Sequence, residues 1–262
     1  MASGRMEFHA QTIMQHANFS FVLPDDTFMP EVRDPRHYER PPKTLILLHG
    51  LTGTDTDWLF RGAAQEMAVQ YNLAVFMPTA GNSFYLDRGY PGGNYAAFIG
   101  EEFPAFVRSV FGHCRSREDT LIGGLSMGGY GALHIALAYP ETFGTCIALS
   151  AALRIYETDG GAVIPDGMVR DVFGPAGPDR APETQLLALK GEGRPIPQIY
   201  LACGRDDPLA GVNRELAAFL RREAVPCCYE EGPGAHDWKF WNEYIDRGLR
   251  RVLNADPAGA DE

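Results

Sequence analysis

The sequence predicts a single α/β domain, residues 1–262, built on a mainly parallel sheet with helices on both faces. Three observations predict it. Apolar runs of strand length recur along the chain: TLILL at 44–48, AVFM at 74–77, TCIAL at 145–149 and QIYLA at 198–202. Continuous apolar runs, unlike alternating ones, suit strands buried on both faces. Segments with helical apolar spacing separate these runs, and that alternation is the pattern of parallel strands joined by crossover helices. No internal repeat, low-complexity tract or domain linker interrupts the 262 residues, which are enough to bury a sizeable core.

Taken in order, residues 6–26 read as two short strands, the second at 19–23 and ended by Pro24. Residues 25–42 are rich in Pro, Asp and Arg and read as loop. After the 44–48 strand, residues 61–70 have helical spacing. So does the longer 95–111, where Phe98, Ile99, Phe103, Phe106, Val107 and Val110 share a face. A strand begins at 120–122. Residues 129–139 are apolar nearly all round, the mark of a buried helix. The segment 151–195 breaks the rhythm with GGAVIPDG and FGPAGPDRAP, and predicts a small loop-rich cap over the sheet edge. Residues 212–223 and 238–253 are amphipathic, a last strand lies near 225–229, and residues 254–262 (NADPAGADE in sequence) are expected to be a disordered tail.

Composition excludes several classes of function. The net charge of −11 argues against nucleic-acid and anionic-membrane partners. Cys114, Cys146, Cys203, Cys227 and Cys228 are odd in number and form no C-x-x-C pair, which fits reduced thiols in the cytoplasm. The first residues hold no apolar stretch of signal-peptide length, and no run approaches a membrane span. Neither H-E-x-x-H nor zinc-type cysteine spacing occurs, so no metal is implied. The oligomeric state is left open, a homo-oligomer included.

Chemistry concentrates at DTLIGGLSMGGYGALH, residues 119–134. Gly124-Leu125-Ser126-Met127-Gly128 is G-x-S-x-G between a strand and a helix. A sharp strand-to-helix turn strains the serine backbone and lifts its hydroxyl above the sheet edge, and the flanking positions must lack bulk for the turn to close. The helix behind it aims unpaired N–H groups at the site. Phosphate-binding turns are excluded: no Lys follows the glycines, and G-x-G-x-x-G cannot be threaded through the stretch. Close packing of helix on strand is the remaining alternative.

A serine hydroxyl needs a base, and the base needs an acid to orient it. With the chain order Ser, acid, His, only His134 and His236 follow Ser126. His134 lies on the helix that leaves the serine and leaves no room for an intervening acid, so His236, in GPGAHDWKFW, is the base. Asp206 and Asp207 directly follow the QIYLA strand, and spacing does not separate them. The N–H of Met127 and a donor from the loop His49-Gly50-Leu51-Thr52-Gly53, with Leu51 the candidate, would form an oxyanion hole. His49 reads as a structural holder of that loop. Trp58, Phe84, Tyr85 and Trp238 are candidates to line a substrate pocket, with simple packing as the alternative.

HGLTGTDTDW, GLSMGGYGA, CGRDDPL and GAHDWKFW, in this order and spacing, resemble the esterase D group of α/β-hydrolases, and within it the tributyrin-esterase type. The resemblance spans about residues 6–252. It implies an α/β-hydrolase fold and a serine carboxylesterase acting on short acyl esters of small molecules without a cofactor. It selects Asp207, three residues after Gly204, as the acid, beside Ser126 and His236, and carries over Leu51 and Met127. S-formylglutathione hydrolases are near relatives, but Gly53 stands where their oxyanion loop carries a cysteine. Feruloyl and acetylxylan esterases share the scaffold, and so do acyl transferases. A catalytically silent binding module is the contrary expectation, and such a chain would lack a member of the triad.

Overall fold

The computed structural model describes residues 2–24, 31–157, 164–174 and 178–254. Eight strands form one sheet: β1 (Ala2–Ala10), β2 (Gln15–Leu23), β3 (Lys43–Leu48), β4 (Leu73–Pro78), β5 (Thr120–Leu125), β6 (Thr145–Leu149), β7 (Gln198–Gly204) and β8 (Cys227–Gly232). Their spatial order is β1-β2-β4-β3-β5-β6-β7-β8. β1 pairs antiparallel with β2, and β2 antiparallel with β4; every later pair is parallel. This is the α/β-hydrolase architecture.

The helices are α1 (Asp57–Phe60), α2 (Ala64–Tyr71), α3 (Tyr95–Ala97), α4 (Phe103–Phe111), α5 (Met127–Ala138), α6 (Asp166–Phe173), α7 (Pro182–Glu192), α8 (Ala210–Arg222) and α9 (Trp238–Leu253). Because strand side chains alternate between faces, the sheet feeds two cores. Ile46 and Leu48 of β3 join α4, α5 and α8 on one side. Leu45 and Leu47 join α2 and α9 on the other. Residues 127–137 of α5 are all buried, which is why that helix shows no polar face.

The structure departs from the sequence expectation in four places. The first two strands are a long hairpin of nine residues each. β1 alternates exposed Arg5, Glu7 and His9 with half-buried Met6 and Phe8, and it starts at Ala2, four residues before the expected strand. The expected helix at 61–70 is α2 at Ala64–Tyr71, preceded by the unexpected short α1 at Asp57–Phe60, and the one at 95–111 contains a π-turn at Phe98–Glu102. The segment 151–195 is more helical than expected, holding α6 and α7. Pro182 starts α7, Leu186 and Leu189 are buried one turn apart, and Gly193 ends it in the left-handed region at φ 65°. The expected disordered tail lies, but for Asn254, outside the described residues. No described helix is long and apolar enough to cross a membrane.

The topology sets the place of the site. β3 is flanked by β4 on one side and β5 on the other, so the strand order reverses there. A crevice opens at the carboxyl ends of the strands at such a point. Ser126 follows β5, Asp207 follows β7, His236 follows β8, and the His49–Gly53 loop follows β3.

Candidate active site

Ser126 occupies φ 55°, ψ −118° between β5 and α5. An L residue is costly there, and surrounding bonds hold it. The Ser126 N–H donates to Leu149 O at 2.9 Å, and the Ser126 carbonyl accepts from the N–H groups of Tyr130 at 3.1 Å and Ala152 at 3.0 Å. The flanking glycines are required by space. A Cβ on Gly124 would lie 2.5 Å from Gly128 O, and one on Gly128 would lie 2.6 Å from both His49 O and Leu48 O.

His236 Nε2 stands 3.0 Å from Ser126 Oγ, and His236 Nδ1 stands 2.9 Å from Asp207 Oδ2. With the carboxylate accepting from Nδ1–H, Nε2 is left to accept from the serine. Backbone contact brings Asp207 and His236 together. Arg205 N–H donates to Gly232 O and Asp206 N–H to Gly234 O. Gly204 packs so tightly on Gly234 that a Cβ would lie 2.3 Å from its carbonyl oxygen. Asp206 is exposed, whereas the Asp207 side chain is fully buried. Burial would raise the Asp207 carboxyl pKa. Hydrogen bonds from His236, the Leu209 N–H and Ser150 outweigh burial and hold the group below its usual range.

The loop after β3 is staked from several sides. His49 Nδ1 is 2.7 Å from Gly50 O, and His49 Nε2 accepts from the Ala80 N–H at 3.0 Å. Both ring nitrogens are thus occupied, and burial pushes the His49 pKa down. Tyr85 Oη donates to His49 O at 2.9 Å, and Asn82 Oδ1 accepts from the Thr52 N–H at 2.8 Å. The loop abuts the serine, since a Cβ on Gly50 would come within 3.6 Å of Ser126 Cβ. Among the described residues, neither the Leu51 nor the Met127 N–H donates a hydrogen bond within the protein.

The aromatic candidates sort by burial. Trp58 and Tyr85 are 1% and 0% exposed. Trp58 Nε1 donates to Leu48 O at 2.9 Å, and Phe84 is likewise buried. These three are packed in the interior. Trp238 is half-buried and meets Trp58 edge-on at 5.0 Å. His134 is a packing residue: its Nδ1 is 3.1 Å from Gln185 Oε1 of α7, and burial lowers its pKa to about 4.

Sequence reasoning passed over Asn82, Ser150, Asn213 and Trp241. Trp241 Nε1 donates to Ser150 Oγ at 3.1 Å, and the Trp241 ring meets the His236 ring edge-on at 5.0 Å. Asn213 accepts from and donates to the Ala151 backbone. One signal was readable: Ser150 is the polar residue closing an apolar strand at the sheet edge that carries Ser126 and Asp207. Among the described residues, no group of three or more His, Cys, Asp or Glu is placed to hold a metal ion.

The model of the Esterase family matches residues 10–252. The acetyl esterase of Caldicellulosiruptor saccharolyticus is 41% identical over 256 residues, covering 94% of this chain and 96% of that protein. The fluorophosphonate-binding serine hydrolase F of Staphylococcus aureus, solved with substrate bound, superposes with a TM-score of 0.82 at 28% identity. It covers 97% of this chain and 99% of its own. An S-formylglutathione hydrolase of the same organism gives the same four values as an apoenzyme. The chain belongs to the Esterase family, and it is a serine carboxylic ester hydrolase of α/β-hydrolase fold.

Proposed function

We propose that the protein hydrolyses short-chain acyl esters of small molecules through a Ser126–His236–Asp207 triad and an acyl-enzyme. The observation that carries the proposal is the unbroken chain of contacts from Ser126 Oγ through both imidazole nitrogens to Asp207. His236 Nε2 takes the Ser126 proton as Oγ attacks the ester carbonyl, and Asp207 stabilises the imidazolium. The N–H groups of Leu51 and Met127 receive the oxyanion. His236 returns the proton to the departing alcohol. Water, deprotonated by the same nitrogen, then releases the carboxylic acid and frees Ser126.

The similarity to an acetyl esterase along nearly the whole chain supports a small acyl group. The 0.82 match to an S-formylglutathione hydrolase favours a second reading, a thioesterase with the same residues. The cysteines at all five positions are unpaired, which supports a reducing, cytoplasmic location.

Initial rates on p-nitrophenyl acetate, butyrate and octanoate, beside S-formylglutathione, test the proposal. Acetate and butyrate are expected to turn over fastest, and Ser126→Ala to lose at least about 10³-fold in kcat while remaining folded. Dominance of the thioester would install the second reading. Undiminished hydrolysis by Ser126→Ala would remove the triad assignment.

A further inference from the structure

Asp207 receives more than the imidazole. Ser150 follows β6 at φ 45° and is fully buried. A non-glycine residue in this region is strained and persists only where its surroundings demand it. Four bonds impose it. The Ser150 N–H donates to Ala202 O at 2.8 Å, Ala151 is clamped by Asn213, and the Ala152 N–H donates to Ser126 O at 3.0 Å. The segment 150–152 therefore ties the backbone of the nucleophile to β7, the strand that delivers the acid.

The Ser150 hydroxyl has a defined orientation. Trp241 Nε1–H can only donate, so Ser150 Oγ accepts there. The hydroxyl hydrogen must then point elsewhere, and the buried acceptor beside it is the Asp207 carboxylate. The Cys203 thiol, at the end of β7, also faces this pair. The other face of the arrangement is the imidazole: the Trp241 ring stands at 88° to the His236 ring. One indole thus touches both the base and the residue that steadies the acid.

We infer that Ser150 and Trp241 are positioning residues of the acid–base pair. The indole N–H fixes the Ser150 hydroxyl, the hydroxyl holds Asp207 as an ionised and oriented acceptor, and the indole edge fixes the tilt of His236. Neither residue touches substrate. The inference rests on the triad reading above and adds two members to its support.

The experiment compares wild type, Ser150→Ala, Trp241→Phe and the double variant. One readout is the second-order rate of Ser126 phosphonylation by an alkyl fluorophosphonate. In that step the Ser126 Oγ–P bond forms, fluoride leaves, and the serine proton passes to His236 Nε2. It requires the triad but no knowledge of the natural ester. The other readouts are kcat and KM on p-nitrophenyl acetate from pH 5 to 9, and Tm.

Ser150→Ala is expected to slow phosphonylation and kcat about tenfold with KM changed less than twofold. Its acid limb should move to higher pH, because the Asp207 carboxylate, with one donor fewer, attracts the protonated imidazole more strongly. Trp241→Phe, which keeps a ring, should slow both rates about threefold. The double variant should be no slower than Ser150→Ala, since the indole acts through the hydroxyl. Multiplying effects, an unmoved acid limb, or a loss confined to Tm would reduce both residues to packing and overturn the inference. Should Trp241→Phe fail to fold, Ser150→Gly decides: it relieves the backbone strain, so it must fold and yet be slowed like Ser150→Ala. Wild type that is phosphonylated but hydrolyses no short ester would refute the substrate reading alone. Wild type inert to the fluorophosphonate would refute both.

Discussion

At the scale of the residue, the adjacent carboxylates Asp206 and Asp207 should behave as opposites. Asp206→Asn, on an exposed side chain, is expected to leave kcat within about twofold. Asp207→Asn removes the acceptor that sets the His236 tautomer and should cost about 10³–10⁴-fold in kcat, read on p-nitrophenyl acetate. Equal losses would refute the division of roles. Gly124→Ala forces a methyl to 2.5 Å from Gly128 O. It should lower stability by about 1–3 kcal/mol in a urea titration and reduce hydrolysis with it. A Gly124→Ala variant with unchanged urea midpoint and kcat would show that the turn tolerates bulk. The serine and the histidine were legible because chain order leaves one histidine that can serve. Asp207 required either a family resemblance or the Gly204–Gly234 contact, since sequence spacing treats both aspartates alike. Trp58 and Tyr85 were not legible as buried residues: an aromatic near a catalytic loop reads the same whether it faces a pocket or the core. Only the burial of the ring and the backbone partner of its polar end separate the cases.

At the scale of the element, Asp55 joins four pieces of chain that are distant in sequence. Its buried carboxylate accepts from Arg5 of β1 at 2.7 and 3.1 Å, from Ser20 of β2 at 2.8 Å, and from Thr79 after β4 at 2.9 Å. Asp55 itself lies in the loop between β3 and α1, a few residues beyond Leu51. The antiparallel hairpin is thereby tied to the loop proposed to hold the oxyanion. Asp55→Asn cannot accept from all of these donors, so it should cost about 2 kcal/mol in urea unfolding and lower kcat more than it raises KM. No change in either quantity would show that the hairpin and the loop are held independently. Nothing in the sequence announced this tie. Charged residues separated by fifty positions carry no spacing signal, and their pairing follows from the register of β1 on β2. The helix α7 was missed for a related reason. Gly- and Pro-rich neighbours mask a short helix whose apolar residues matter only once α5 lies beneath them.

At the scale of the whole molecule, acid should act in two stages. His134 is held neutral by burial, with its pKa lowered to about 4, and burial also lowers His49 and His37. A group depressed in the fold contributes stability above its unfolded pKa, about 6.5 for histidine, and loses it as pH falls toward the folded value. The unfolded chain therefore takes up protons first, and stability declines from about pH 6.5 toward pH 4. Asp207 and Asp55 are depressed carboxylates, so their contribution is complete above about pH 4 and disappears below it. Urea midpoints measured from pH 8 to pH 3 should fall in those two windows, and His134→Gln should flatten the first. A midpoint constant between pH 7 and pH 4.5 would contradict the buried neutral histidines. The parallel architecture itself was legible, because each central strand is a continuous apolar run that only a doubly covered sheet can bury. The three residues that meet at its edge are delivered by three separate strands, and Ser126 and His236 stand 110 positions apart. Such a site has no local precursor. Pairing across long stretches of chain is slow, so recovery of hydrolysis after dilution from denaturant should lag the return of helical circular dichroism. Turnover then times the last docking event of the refolding chain.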